Sequence, residues 1–162
     1  MSCDVMLREV TQDDVPVFFE QQRDPVAIRM VYGREADPPE EAAFRAKWDR
    51  ILRDETAAKR TVLFGGQVAG NVLSFLAPWS GHREVGYWIG REFWGRGVAT
   101  GALAAFLRQL KVRPLHARVA RGNVASLRVL LKCGFTVAGD ETDAAEGVAW
   151  VLLTLGEENG PP

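Results

Sequence analysis

The sequence predicts a mixed α/β fold of the α+β kind: one sheet that meanders through its middle strands and takes helical crossovers later. Three observations carry this. Residues 60–90 hold three β-rich runs, "RTVLFGG", "QVAGNVLSFLA" and "REVGYWIG", separated by Gly and Pro. Two strongly periodic helices, one after "FWGRG" and one at "NVASLRVLLKCG", then alternate with the strand-like "LHARVA". The chain has 162 residues, 47% hydrophobic and 25% charged, which suits one globular domain with a sizeable core.

The elements follow in order. "VMLREV" reads as a first strand with Val5 and Leu7 on one face. "TQDDVPVFFEQQ" opens a helix, with Thr11 as its cap and Asp13 and Asp14 in its first turn. "DPVAIRMVYG" is a short second helix or a loop. "DPPEEAAFRAKWDRILRDE" is a clearer helix, with Pro38 and Pro39 at its start and Phe44, Trp48, Ile51 and Leu52 on one face. Gly65-Gly66 signals a hairpin between the first two middle strands. In the helix after "FWGRG", Ala99, Leu103, Phe106 and Leu110 recur on one side. In the next, Asn123 can cap, Val124, Leu127, Leu130 and Leu131 form the stripe, and Gly134 can close. "FTVAG" and "GVAWVLLTL" end the fold as strands. Residues 1–156 are expected to form a single domain and 157–162 a flexible tail.

Composition narrows the function. The formal net charge is -1 and no Lys/Arg run marks a nucleic-acid or membrane-surface binder. Cys3 and Cys133 lie far apart, His82 and His116 show no partner pattern, and no Cys/His spacing suits a metal. The longest apolar run, "VAWVLL", is far shorter than a membrane span, and the acidic start has no apolar signal segment. The expected location is the cytoplasm.

The stretch with the most chemistry in it is "FWGRGVAT", where a strand hands over to a helix. A helix N-terminus carries unpaired N–H groups and partial positive charge, and glycines let a bulky anion reach them. A P-loop would need Lys-Ser/Thr after Gly97, where Val98-Ala99 stands. A dinucleotide loop would need Gly or Ala where Thr100 stands, and an acid about 20 residues on. A simple tight turn is the competing account of Gly95 and Gly97.

"WGRGVA" resembles the Q/R-x-x-G-x-G/A signature of the GNAT superfamily of N-acetyltransferases, with Trp94 at the usual Gln/Arg position and Ala99 at the last Gly/Ala. The longer "EVGYWIGREFWGRGVATGAL" and "RGNVASLRVLLKCGF" are similar to its RimJ/RimL-like branch. The resemblance covers most of the chain and is weakest over residues 20–60. It implies a GNAT-like fold, with a mostly antiparallel sheet splayed between its fourth and fifth strands. It also implies acetyl-CoA as cosubstrate and a primary amine as acceptor, with no metal. A homodimer stays open.

Carried over residue by residue, the pyrophosphate would lie on the N–H groups of Gly95, Arg96, Gly97, Val98, Ala99 and Thr100. Backbone groups of Tyr87, Trp88 and Ile89 would pair with the pantetheine, and an N–H near Trp88 would hold the oxyanion. Asn123 would contact cofactor or substrate near the sulfur. Many relatives carry a Tyr seven residues after that Asn, and Leu130 stands there; Ser126 stands where the RimJ/RimL-like branch carries a Ser, which implies it as the hydroxyl near the leaving sulfur. Glu84, in phase with Gly86 and Trp88, is the candidate base, acting through water.

Each of these residues also has a plainer account. Asn123 could be only a cap, Ser126 a locally bonded hydroxyl, Glu84 a solvated strand residue, Trp94 a core aromatic and Cys133 a small filler. The acids of the last hairpin, Asp140, Glu141, Asp143 and Glu146, would favour a cationic acceptor or be solvated loop charge. The main alternative function is a non-catalytic acyl-CoA-binding or regulatory domain on the same fold; a nucleotide-binding module is the third.

Overall fold

The computed structural model describes residues 4–156; the expected tail lies outside them. The elements are β1 (Val5–Arg8), α1 (Val15–Gln21), α2 (Pro25–Tyr32), α3 (Glu41–Arg53), β2 (Ala58–Phe64), β3 (Gln67–Leu76), β4 (Arg83–Ile89), α4 (Val98–Gln109), β5 (Leu115–Ala120), α5 (Val124–Lys132), β6 (Thr136–Asp143) and β7 (Val148–Leu155). One seven-stranded sheet runs in the order β1-β2-β3-β4-β5-β7-β6. All neighbours are antiparallel except β4 and β5, which are parallel and meet at one register pair, Glu84↔His116.

Local chemistry explains the turns. Gly65 and Gly66 both have positive φ (58° and 83°), the geometry a two-residue hairpin of the right twist requires. "DPVAIRMVYG" resolves as a helix: Asp24 accepts from the Val26 N–H at 2.9 Å, and Gly33 ends it at φ 74°. Helix α3 begins after both prolines, with Glu40 extended at its cap, so Pro38 and Pro39 precede the helix rather than open it.

The two faces of the sheet are filled differently. Val62, Val72, Val85, Ile89, Leu115 and Leu153 pack against Leu103 and Phe106 of α4. On the opposite face Phe18 and Phe19 of α1 meet Phe44 and Trp48 of α3, and Trp88 packs on Ala27 and Ile28 of α2. The α5 stripe is narrower than its periodicity suggests: Leu130 is buried and Leu127 half-buried, while Val124 and Leu131 are 50% and 46% exposed. Neither of these two lines the cleft that other residues of α5 border; both are open to solvent.

Asp14 does more than open a helix. It is buried, and its carboxylate accepts two bonds from Arg8 (2.7 and 2.9 Å), one from the Thr61 hydroxyl (2.7 Å) and one from the Thr11 N–H (2.9 Å). Burial pushes its pKa up, but the bonds from Arg8, Thr11 and Thr61 outweigh burial and hold it at about 2. A depressed carboxylate stabilises the fold above its unfolded pKa, and that stability is lost as pH falls through the folded value. The contribution is about 2 kcal/mol, present above roughly pH 4 and gone below about pH 2. Asp14→Ala, which strands Arg8 and Thr61, should cost about 3 kcal/mol in urea unfolding at pH 7. The gap from the parent protein should shrink between pH 5 and pH 2.

Candidate active site

Beyond Glu84↔His116 the fourth and fifth strands part, as the sequence led us to expect. The ladder between β3 and β4 decides which backbone groups the parting leaves uncovered. The Gly90 N–H donates to the Ala69 carbonyl (2.8 Å), and the Ala77 N–H donates to that of His82 (2.9 Å). Alternation along the register then turns the backbones of Glu84, Gly86 and Trp88 toward β3, and those of Val85, Tyr87 and Ile89 toward the gap. Of the three residues expected to offer backbone groups, Tyr87 and Ile89 do so. Trp88 does not; it enters the site with its indole. The Ile89 carbonyl is already taken by the Trp94 indole N–H at 2.9 Å. Trp94 is therefore no core aromatic: it is 38% exposed and forms part of the cleft wall.

The gap opens into a cleft of about 620 Å³ that runs from the α4 N-terminus, between β4 and β5, to α2. At the α4 end, Gly95 and Gly97 have φ of 78° and 76°, where side-chain-bearing residues are strained. A Cβ on either would meet no protein atom within 4 Å, so backbone conformation, not packing, calls for glycine there. The first intrahelical bond runs from the Gly101 N–H to the Gly97 carbonyl (3.0 Å), which leaves the N–H groups of Val98, Ala99 and Thr100 directed out of the helix start. Gly95, Gly97, Val98, Ala99 and Thr100 all line the cleft. Arg96 does not: its guanidinium sits 5.8 Å from the Phe64 ring centroid.

Midway along, α5 supplies the polar groups. Asn123 is buried and caps the helix by accepting from the Ser126 N–H at 3.2 Å, and both residues line the cleft. The Ser126 hydroxyl lies 2.6 Å from the Tyr87 hydroxyl, across the parted strands. Burial, with a smaller contribution from Cys133, pushes the Tyr87 pKa up to about 12 against the opposing pull of the Ser126 bond, so the phenol stays neutral. Sequence reasoning gave Tyr87 only a backbone role. Its phase with Val85 and Ile89 could have placed the phenol on the α4–α5 side. Burial also raises the Cys133 pKa, and its thiol leans toward the Thr100 carbonyl (3.8 Å), as an inert filler would.

Glu84 is not brought into the cleft lining. It is buried, and its Oε2 accepts from the Trp79 indole (3.1 Å) and the Ser80 hydroxyl (3.2 Å). The hairpin acids are likewise occupied: Asp140 pairs with Arg121, Glu141 with Arg118 and Glu146 with Arg34, while Asp143 accepts from the Ala145 and Glu146 N–H groups. That hairpin is not a free acidic rim. Among the described residues no cluster of metal-ligating side chains occurs, and no helix is long and apolar enough to cross a membrane.

The sequence model of the Acetyltransferase (GNAT) domain family matches residues 4–136. The chain belongs to this family. The curated GNAT relative YdaF of Bacillus subtilis, provisionally named a ribosomal N-acetyltransferase, is 29% identical over 101 residues, which is 59% of this chain and 55% of that protein. The chain thus spans little more than half the length of that relative. Among solved structures, AAC(6')-Ib in complex with ribostamycin and coenzyme A superposes with a TM-score of 0.77 at 20% identity, over 94% of this chain and 93% of that one. Spermidine N-acetyltransferase from Vibrio cholerae, in complex with CoA and spermine, gives 0.78 at 15% identity over 94% and 95%. These structural likenesses establish a shared GNAT fold.

Proposed function

We propose that this GNAT protein transfers the acetyl group of acetyl-CoA directly to a primary amine, and that it belongs to the RimJ/RimL-like branch. One observation carries the reaction: a glycine-opened helix start, an uncovered strand edge and a half-buried hydroxyl pair lie in sequence along one cleft. The residues present suit the cosubstrate. Helix N–H groups and the Arg128 and Lys132 side chains along the wall match a pyrophosphate, and the empty space above Gly95 and Gly97 admits one. Pantetheine amides match the free edge of β4. The similarity to YdaF, together with "RGNVASLRVLLKCGF", supports the branch. With Cys133 unpaired among the described residues, a reducing cytoplasm is the location we assign.

In this reading the neutral amine attacks the thioester carbon. The C–N bond forms, the C–S bond breaks, the surplus amine proton passes to solvent, and the CoA sulfur leaves as a thiolate. An N–H from Tyr87 or Ile89 faces the developing oxyanion, replacing the Trp88 group first expected. Ser126 donates to the departing sulfur. A neutral phenol is the stronger donor of the two hydroxyls, so Tyr87 donates to Ser126 and leaves the serine hydrogen free to aim into the cleft. Glu84, turned to Trp79 and Ser80, acts at most through water. Incubation with acetyl-CoA and mixed amines should release CoA thiol and leave one acetyl group on the acceptor by mass spectrometry. Acetyl-CoA that neither binds nor raises the melting temperature would sink this reading.

A further inference from the structure

We propose that Trp94 is a positioning residue: by holding the Ile89 carbonyl, its indole N–H sets where along the β4 edge the pantetheine arm pairs, and so how deep the thioester reaches. The inference rests on the transferase reading and concerns a side chain that the reaction steps leave out. An indole N–H can only donate. Trp94 is exposed enough to give that hydrogen to water, yet spends it on a strand-edge carbonyl at 2.9 Å. Ile89 turns its backbone into the gap together with Val85 and Tyr87. With its carbonyl bonded, and the indole beside it as cleft wall, Ile89 keeps only its N–H for a ligand. Counted from the α4 end, the first open carbonyl on this edge is therefore that of Tyr87.

That order matters because a strand edge repeats. Amides that pair with Tyr87 would find the same donor and acceptor two residues along, at Ile89, were its carbonyl free. Such a slip is about 7 Å, and a displacement of ~1 Å at the reacting centre can already cost about 100-fold in rate. An arm paired too early would leave the thioester short of the Ser126 and Tyr87 hydroxyls, with the pyrophosphate still on its helix. The same indole ties the anion loop to the strand. The Trp94 backbone N–H donates to the Arg91 carbonyl at 3.1 Å; after it, the N–H groups of Gly95, Arg96 and Gly97 find no backbone acceptor among the described residues. Trp94 is thus the last hydrogen-bonded residue before the loop that would receive the anion, and its side chain fixes that loop against the edge that would carry the arm.

Trp94→Phe keeps a ring in the wall and removes the donor. Its maximal rate of thiol release at fixed amine should fall at least about 10-fold. The Kd of acetyl-CoA by calorimetry should stay within about threefold of the parent, because the freed carbonyl offers a second, unproductive pairing. The melting temperature should drop by no more than about 4 °C, the shift expected for one hydrogen bond in a chain of this size. A second measurement needs no turnover and no variant. In the 15N-labelled parent protein, the assigned Trp94 indole N–H should exchange slowly with solvent and stay protected when CoA is added as the probe. Three results overturn this inference and leave the transferase reading standing. One is an unchanged maximal rate in Trp94→Phe. Another is rate and affinity falling by the same factor, as for a damaged wall. The third is loss of indole protection on adding CoA, which would mean that the arm takes the Ile89 carbonyl. A parent protein with no affinity for CoA overturns both readings.

Discussion

Gly97→Asp is expected to weaken acetyl-CoA binding at least about 100-fold and to remove thiol release, while the protein stays folded. The two halves of this expectation have different causes. At φ 76° a side chain is strained, but Asp is among the residues that tolerate this region best and also among the better helix caps, so the net cost is about 1 kcal/mol. The added Cβ meets no protein atom within 4 Å, so packing adds nothing to that cost. Binding suffers far more. The new carboxylate would sit where the N–H groups of Val98, Ala99 and Thr100 point, occupying their partial charge and repelling a pyrophosphate. Calorimetry with acetyl-CoA and a melting curve read the two halves separately. Gly97→Ala is the matched control: the backbone strain is similar and the charge is absent, so most of the binding should survive. Equal loss in both variants would mean that loop shape, not charge, holds the anion.

The order of elements was legible because each keeps one period over its length. Phe44 and Trp48 fall on one helical face and are buried, and the Gly65-Gly66 pair readily takes the positive φ that a two-residue hairpin needs. The glycine-opened helix and the Asn123 cap were legible for a related reason, since both are local backbone devices whose partners lie within a few residues. What escaped depended on partners distant in sequence. Asp14 looked like a first-turn acid, and its ties to Arg8 and Thr61 exist only once β1 and β2 pair. The hairpin acids looked like a free negative rim until Arg34, Arg118 and Arg121 folded against them. Glu84 looked free to act as a base because nothing in its own strand shows that Trp79 and Ser80 turn back onto its carboxylate. The direction of the Trp88 backbone needed the β3–β4 register, a pairing property that no single strand carries.

Ser126→Ala is expected to lower kcat by about 10- to 100-fold, at or below the usual range for a lost proton donor, because a CoA thiolate is already a fair leaving group. Tyr87→Phe should reproduce much of that loss, although the phenol need never touch the sulfur. If Tyr87 donates to Ser126 at 2.6 Å, removing the phenol frees the serine hydroxyl to rotate and to spend its hydrogen elsewhere. The two residues then act as one unit, and the double variant should be no slower than Ser126→Ala alone. Multiplied losses would show that they act separately. Tyr87 is held at about 12, so it stays protonated at every working pH and should add no limb to the profile of kcat between pH 6 and pH 9. Tyr87→Phe should therefore lower the curve without changing its shape. A purely structural role predicts something else: acetyl-CoA affinity and melting temperature falling together with kcat. Tyr87 is half-buried and its phenol bonds Ser126 of α5, so some loss of stability is expected, on the order of 1 kcal/mol for one hydrogen bond. The kinetic signature, kcat down with KM for acetyl-CoA steady, separates a positioned hydroxyl from a weakened wall.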